Sequence, residues 1–405
     1  MSWPVVELAS VSVVFNGKTP SKADQRTVGH PVLKIRDVSE QGEFRGKLES
    51  FVDPEFAEKY STKQIQLGDS LILNAAHNSA YVGSKFYRAE PTTQGLLATG
   101  EWLLVRPDPT KLDADYKHHW LTSKVTRQKI SGIVNGIHLY PKDLARLRLP
   151  LPPLDEQRRI AAILDQAEEL RAQRRAAIAL LDQLPQAIFL EMFGDPATNP
   201  KRWDTVPLAS LCNHSDEIKC GPFGTQLHRS DFTDYGIPLW GIKNVNAGFH
   251  LPTHEFVSEA TGQRLTQYSI LPNDIVMTRK GTVGNCAVYP SHFPPGLMHS
   301  DLLRIRLDIS RTSPVFVSHQ LQSSRDVEHQ ISLISGGAIM AGINVSKLKI
   351  LALRVPPSHL QFDFAARVES VSRVKSIQVS SLARLDALIA SLQSQSFSRG
   401  PSFVS

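Results

Sequence analysis

Residues 130–153 and 334–357 repeat one another without a gap at a constant offset of 204. Leu144 pairs with Leu348, Leu149 with Leu353, and Pro152-Pro153 with Pro356-Pro357. The same offset carries on to pair Gln157 with Gln361, Ala161 with Ala365, Leu181 with Leu385, Leu184 with Leu388 and Phe193 with Phe397. The earlier parts also correspond, with small insertions. Trp3 and Leu8-Ala9-Ser10 match Trp203 and Leu208-Ala209-Ser210; Gly29, Pro31, Ile35 and Val38 match Gly236, Pro238, Ile242 and Val245. Asp69 ahead of Leu71-Ile72-Leu73 matches Asp274 ahead of Ile275-Val276-Met277, and Leu103 with Arg106 matches Leu303 with Arg306. Self-similarity of this extent marks a duplicated structural unit, with length differences confined to loops. A chain of 405 residues is too long for one ordinary core. The expected organisation is a globular domain at 1–153, a helix at 154–193, a second globular domain at 201–357 and a second helix at 358–397.

The trailing segments are predicted to be helices of roughly 38 residues, about 55 Å long at 1.5 Å per residue. Residues 155–192 contain no glycine and are rich in Ala, Leu, Gln, Glu and Arg, all good helix formers. A stripe runs through Ile160, Ile163, Ala167, Leu170, Ala177, Leu181, Leu184 and Ile188, and Gly194-Asp195-Pro196 ends it. Pro185 inside it should kink the helix. The second stripe runs through Phe364, Val368, Val371, Val374, Leu385, Leu388 and Leu392. Gln378 and Ser381 weaken its middle, and Asp386 and Arg373 are expected to face away. A helix this long with one apolar stripe needs a long partner, so an antiparallel two-helix coiled coil is expected. The alternative is that each helix packs only on its own domain.

The globular segments alternate short Val/Ile/Leu/Tyr runs with Gly, Pro, Asn and Ser, which predicts strands. Examples are residues 11–15, 32–35, 70–73 and 103–105, then 239–242, 275–278, 285–289 and 302–307. Short helices are expected near 116–126 and 314–323. The fold class is therefore α+β: two pseudo-symmetric mixed α/β domains separated by two long antiparallel helices.

Familiar enzyme motifs are absent from the sequence. Gly17-Lys18-Thr19 resembles the end of a phosphate loop, but Ser12 stands where its first glycine should be and Pro20 opposes the helix that should follow. There is no GxGxxG, no HExxH and no Asn/Asp-Pro-Pro-aromatic tetrapeptide. His118-His119 are expected to be surface histidines, because adjacent helical residues do not face one another. The three cysteines, Cys212, Cys220 and Cys286, suit neither a disulfide framework nor a zinc site. No leader or membrane-spanning stretch is expected, and the expected compartment is the cytoplasm. No cofactor or metal site is expected in this chain.

A net charge of +6 is compatible with a nucleic-acid partner without requiring one. More specific is a polar loop after equivalent strands. In the second half it reads Thr278-Arg279-Lys280-Gly281-Thr282-Val283-Gly284-Asn285; in the first, Asn74 to Lys85 includes His77 and Asn78. Arg and Lys suit guanine edges or phosphates, and Asn suits adenine. Thr278, Arg279, Lys280, Thr282 and Asn285 are thus candidate DNA contacts, with Asn74, His77, Asn78 and Lys85 opposite them. Lys18, Thr19, Lys34, Arg36, Phe223, Thr225, Lys243 and Asn244 rank second. Plain hairpin loops would explain the same pattern, and a protein-binding scaffold remains an alternative to a DNA reader.

The segment Leu149-Pro150-Leu151-Pro152-Pro153-Leu154-Asp155-Glu156-Gln157-Arg158-Arg159-Ile160-Ala161-Ala162-Ile163-Leu164 resembles the central conserved region of Type I restriction–modification specificity subunits. Phe189-Leu190-Glu191-Met192-Phe193-Gly194-Asp195 and Arg279-Lys280-Gly281-Thr282-Val283-Gly284 are also similar to that family. Nearly the whole chain is covered. The first-half loop departs from the family pattern at Ala76-His77-Asn78, and the second helix has His359-Leu360-Gln361-Phe362 in place of the Asp-Glu-Gln-Arg run. The resemblance implies a non-catalytic subunit in which each target-recognition domain reads half of a bipartite, asymmetric duplex site. It implies a helical spacer that sets the gap and recruits methyltransferase subunits, usually two, with Leu154, Glu156, Gln157, Arg158 and Gln361 as contacts. Adenine-N6 methylation with S-adenosylmethionine, and restriction with ATP and Mg, would lie in partner subunits.

Overall fold

Each run of branched and aromatic residues, cut off by glycine or proline, becomes a short strand in one of three small sheets per half. The computed structural model describes residues 3–335 and 343–397; Met1, Ser2 and Gly336 of the repeat lie outside them, as do the side chains of Thr225, Ile334 and Ser335. The chain divides into two compact units, Met1–Ala176 with Gln378–Ser405, and Ala177–Ile377. Both divisions fall within the long helices, Leu154–Phe193 and Ser358–Phe397, of 40 residues each.

In the first unit Ser12–Asn16, Trp102–Pro107, Ser70–Leu73 and Phe86–Arg88 form, in that order, an antiparallel sheet. Gln25–Arg26, Phe51–Val52, His30–Leu33 and Leu97–Ala98 form a second, whose last pair is parallel. Val5–Glu7 pairs antiparallel with Arg148–Pro150, the strand that leads into the first long helix. The second unit repeats this scheme. Ile218–Cys220, Leu302–Ile305, Ile275–Thr278 and Cys286–Val288 make the antiparallel sheet. Phe232–Thr233, Phe256–Val257, Ile237–Trp240 and Gly296–Met298 make the mixed one, extended by Ser269–Ile270. Asp204–Pro207 pairs with Ala352–Val355. Strand order and the sense of every shared pair coincide, so what is duplicated is a whole fold.

The paired sequence positions have paired jobs. Asp69 and Asp274 are buried, and each takes two hydrogen bonds from one guanidinium: Arg106 at 2.9 and 2.7 Å, Arg306 at 2.8 and 2.8 Å. A bidentate fork of this kind is among the stronger charge-assisted contacts. It ties the strand after each carboxylate to its central neighbour.

Two predicted elements shift. Residues 239–242 are not one strand: the strand ends at Trp240, and Ile242–Asn246 is a short helix after Gly241. The helix expected at 116–126 is two, Ala114–Thr122 and Lys124–Gly132. Ser123 separates them because its hydroxyl accepts from the Thr126 N–H and so caps a new helix.

Within each unit the two long helices pack on one another, running antiparallel, as well as on their lobe. In the first unit Ile160, Ala161, Leu164 and Phe397 join the lobe core, Phe397 lying 5.4 Å from the Tyr116 ring. In the second, Phe189 and Phe193 surround Phe316 and Phe364. The predicted stripe is out of phase between these anchors: Ile163, Leu170, Leu184, Val374 and Leu388 are exposed. The facing residues there are polar. Arg174 Nη1 donates to Gln378 Oε1 at 2.7 Å, Arg171 lies 3.7 Å from Asp386, and Lys375 pairs with Asp182. Gln378 faces the other helix as a polar member of the stripe, and Asp386 does so too, contrary to expectation. The first helix runs through Pro185. It also meets the length and hydropathy criteria of a membrane span, contrary to the sequence reading. Within that stretch Asp182 pairs with Lys375, and Phe189 and Phe193 are buried against Phe316.

Candidate nucleic-acid interface

In the second lobe, strand Ile275–Thr278 turns through residues 279–285 and returns as Cys286–Val288. Gly281 and Gly284 adopt left-handed φ of 70° and 88°, the conformation glycine tolerates best. The fully buried Thr278 hydroxyl donates to the Thr282 and Asn285 carbonyls and pins the neck of the loop. Asn246 pins its far side: its Oδ1 accepts from Thr282 Oγ1 at 2.9 Å and Asn285 Nδ2 at 2.7 Å. Asn285 Oδ1 meanwhile accepts from Gln322 at 3.2 Å. Thr278 is thus structural, which corrects its assignment as a base contact, while both ends of the Asn285 amide are engaged by Asn246 and Gln322 at the exposed loop surface.

Arg279 and Lys280 remain as the loop's cations. The Arg279 N–H donates to the Asp301 carbonyl at 2.8 Å, and its guanidinium lies 4.9 Å over the half-exposed ring of Phe223. Among the described residues its buried Nε has no partner. Stacking of this kind fixes the plane of the fork while leaving its outer N–H groups to donate. Lys280 Nζ lies 3.1 Å from the Asp301 carboxylate, itself 3.5 Å from His299. Asp301 and His299 line a cleft of about 530 Å³ together with the exposed Lys243. Asn244 is buried and caps its helix, accepting from the Gly241 N–H at 3.1 Å and donating to the Leu251 and Pro252 carbonyls; it is not a contact residue.

Backbone register aligns the first lobe with this scheme. The Asn74 N–H donates to Glu101 O at 2.9 Å as Arg279 does to Asp301, and Leu73 donates to Lys85 O at 3.0 Å as Thr278 does to Asn285. Asn74 therefore occupies the position of Arg279, and Lys85 that of Asn285, with a longer loop between. Asn74 is buried and donates to Asn16 and Gly100, both at 3.0 Å. Lys85 is buried too, donating to Val38 O at 3.1 Å and pairing with Glu40 at 2.9 Å. These two brace the loop, a correction to their placement on the reading surface. His77 and Asn78 are exposed on the loop, and Asn78 also caps its short helical turn by accepting from Ala80 N at 3.0 Å.

Two adjoining clefts gather most of the other candidates. One, of about 570 Å³, is lined by His77, Asn78, Tyr81, Lys85 and Glu101 among others. The other, about 280 Å³, is lined by Thr19, Lys34, Arg36 and Glu101 among others. Arg36 is exposed, with Glu49 at 3.6 Å, and Thr19 accepts from Gly100 N at 2.9 Å. Lys18 lies elsewhere, its Nζ 4.9 Å over the Tyr60 ring. Sequence reasoning missed Asn246, Asp301 and Glu101. The last two were detectable, since both sit two residues before the paired Leu103 and Leu303.

The residues expected to meet a partner protein divide. Gln157 is buried at the start of the first long helix, its Oε1 accepting from Asp113 N at 2.8 Å and its Nε2 donating to Lys111 O and Pro152 O. Gln361 does the same with Ser313 N at 3.1 Å and Pro356 O at 2.8 Å. Both latch a helix to its own lobe and offer nothing outward. Arg158 is exposed, Glu156 is half-buried and paired with Arg159, and Leu154 is half-buried. The adjacent histidines are not surface groups: His119 is buried and bonded to Asp165 at 2.9 Å, and His118 lies 3.2 Å from Ser70 Oγ.

Two copies of one sheet-rich lobe, each holding a polar loop beside a cleft and each latched to paired long helices, define a double-lobed recognition protein. Residues 1–180 match the family model of the Type I restriction modification DNA specificity domain. The EcoKI specificity subunit of Escherichia coli K12 is 21% identical across 98% of this chain and 88% of its own length. A Methanocaldococcus jannaschii protein described as the MjaX specificity subunit is 20% identical across 91% of this chain and 86% of its own. The S subunit of M. genitalium shares the fold, with TM-score 0.61 at 14% identity over 98% of this chain and 96% of that one. A chain from the type I R-M system gives TM-score 0.60 at 18% identity over 98% and 97%. Over nearly its whole length the chain is similar to Type I restriction–modification specificity subunits, and its first 180 residues carry that family's DNA specificity domain.

Proposed function

We propose that this chain chooses the DNA target of a Type I restriction–modification complex, each lobe reading one half of a bipartite, asymmetric duplex sequence. The observation that carries this is a single frame with two vocabularies. The same strand, loop and cleft occur twice, held by the same backbone bonds, but the loop presents Arg279 and Lys280 in one lobe and His77 and Asn78 in the other. Lys and Arg contacts to phosphate give affinity, and the few remaining side chains select bases. The long helices act as the spacer and, with Leu154, Glu156 and Arg158 at the start of the first, as the docking site for two methyltransferase subunits. The chemistry then belongs to those subunits, with S-adenosylmethionine for adenine-N6 methylation, and to ATP- and Mg-dependent restriction subunits, in the cytoplasm. A protein-binding scaffold would need apolar lobe surfaces where these loops are charged and hydrogen-bonding. Co-expression with the methyltransferase partner and mapping of methylated adenines tests the proposal. A two-part motif with a fixed gap supports it, and methylation indifferent to this chain contradicts it.

A further inference from the structure

Glu101 is a carboxylate without an obvious job. It stands where the turn through Thr99 and Gly100 enters the strand Trp102–Pro107, and it lines both adjoining clefts of the first lobe. Among the described residues its carboxylate has no hydrogen bond and no cation within ion-pair distance. The cations nearby are partly neutralised already: Lys85 by Glu40 at 2.9 Å, and Arg36 by Glu49 at 3.6 Å. Its counterpart Asp301 occupies the same backbone position but is closed off by Lys280 at 3.1 Å and His299 at 3.5 Å. The frame therefore supplies an acid in both lobes, and the first leaves it open.

An open negative charge on a DNA-facing surface repels phosphate and lowers affinity for every sequence. Such a group earns its place only by discriminating between sequences. An ionised carboxylate can only accept hydrogen bonds. Of the major-groove edges, the N4 amine of cytosine and the N6 amine of adenine offer it a donor; adenine sets its N7 acceptor beside that amine and repels a carboxylate, which favours cytosine, and guanine offers only the acceptors O6 and N7. We propose that Glu101 is a specificity-determining residue of the first lobe, accepting from the exocyclic amine of a cytosine in that lobe's half-site. This rests on the DNA-reading function proposed above.

The test is selection of bound duplexes from a randomised library by the full chain assembled with its methyltransferase subunits, using the wild type, E101A and E101Q. The wild type is expected to require cytosine at one position of the first half-site. E101A should lose that preference by about tenfold or more, in line with one good side-chain–base contact. E101Q keeps an acceptor and adds a donor, so it should also admit a base with an acceptor there. The other half-site should be unchanged in both, and binding to non-specific duplex should strengthen as the negative charge is removed. Unaltered preferences in both variants, or a change at a position that is not cytosine, overturn the role of Glu101 alone. A wild-type complex with no sequence preference overturns the DNA-reading proposal and this inference with it.

Discussion

At the residue scale, the proposed interface rests on cations whose positions are set by neighbours. Arg279 is held by Phe223 and Lys280 by Asp301. Replacing both cations with alanine should weaken specific binding through the second half-site by at least tenfold and leave the first half-site's preferences intact; a gel-shift or anisotropy titration measures it. Asn74, Lys85, Asn244 and Asn285 show why the site was only partly legible. Residue type marks a group as able to contact a base, but the direction of its side chain follows from long-range partners such as Asn16, Val38, Leu251 and Asn246. No local pattern announces those. His319 offers a pH-dependent check. It sits against Phe189 and Phe364 and bonds to Gln186 at 3.0 Å, and burial pushes its pKa down to about 4. An unfolded histidine titrates near 6.5, so the unfolded chain takes up the proton first. The stability linked to His319 is complete above pH 6.5 and is lost as the pH falls from there through about 4. Unfolding free energies from urea titrations should show H319L less sensitive than the wild type across that window, by about 3 kcal/mol.

At the element scale, the latches and forks that attach helices and strands carry the stability. Asp274→Asn removes the bidentate counter-charge of the Arg306 guanidinium and leaves it only Glu217, 3.6 Å away, in a mostly buried setting, and should destabilise the second lobe by about 2 kcal/mol in equilibrium unfolding. Gln157→Leu strands the Asp113 N–H and the Lys111 and Pro152 carbonyls, at roughly 1–3 kcal/mol for each group left buried and unpaired. Binding of methyltransferase subunits by the folded variant should persist, since Gln157 faces inward. The existence of both long helices was plain from composition and period, and their phase was not. Period-based reasoning looks for apolar residues in the seam, whereas Arg171, Arg174, Lys375, Gln378 and Asp386 face the partner helix here and release Leu170, Val374 and Leu388 to the surface. Long aliphatic stems and paired charges can fill a seam that hydrophobicity alone does not predict.

At the scale of the whole molecule, duplication governs everything else. The offset of 204 between repeats foretold two lobes, and the lobes share strand order, the Asp–Arg fork and the glutamine latch. What duplication could not foretell is which loop residues are exposed and which brace the loop, because copies that diverge keep their scaffold and change their loops. Independent readers on a common frame imply separable specificity. The decisive measurement is the map of methylated adenines produced by the chain with its methyltransferase partner, before and after residues 201–357 are exchanged for the matching domain of a relative. The account predicts that one half of the target changes and that the other half, with the gap between them, stays as it was. A target altered in both halves, or one indifferent to the exchange, would contradict it.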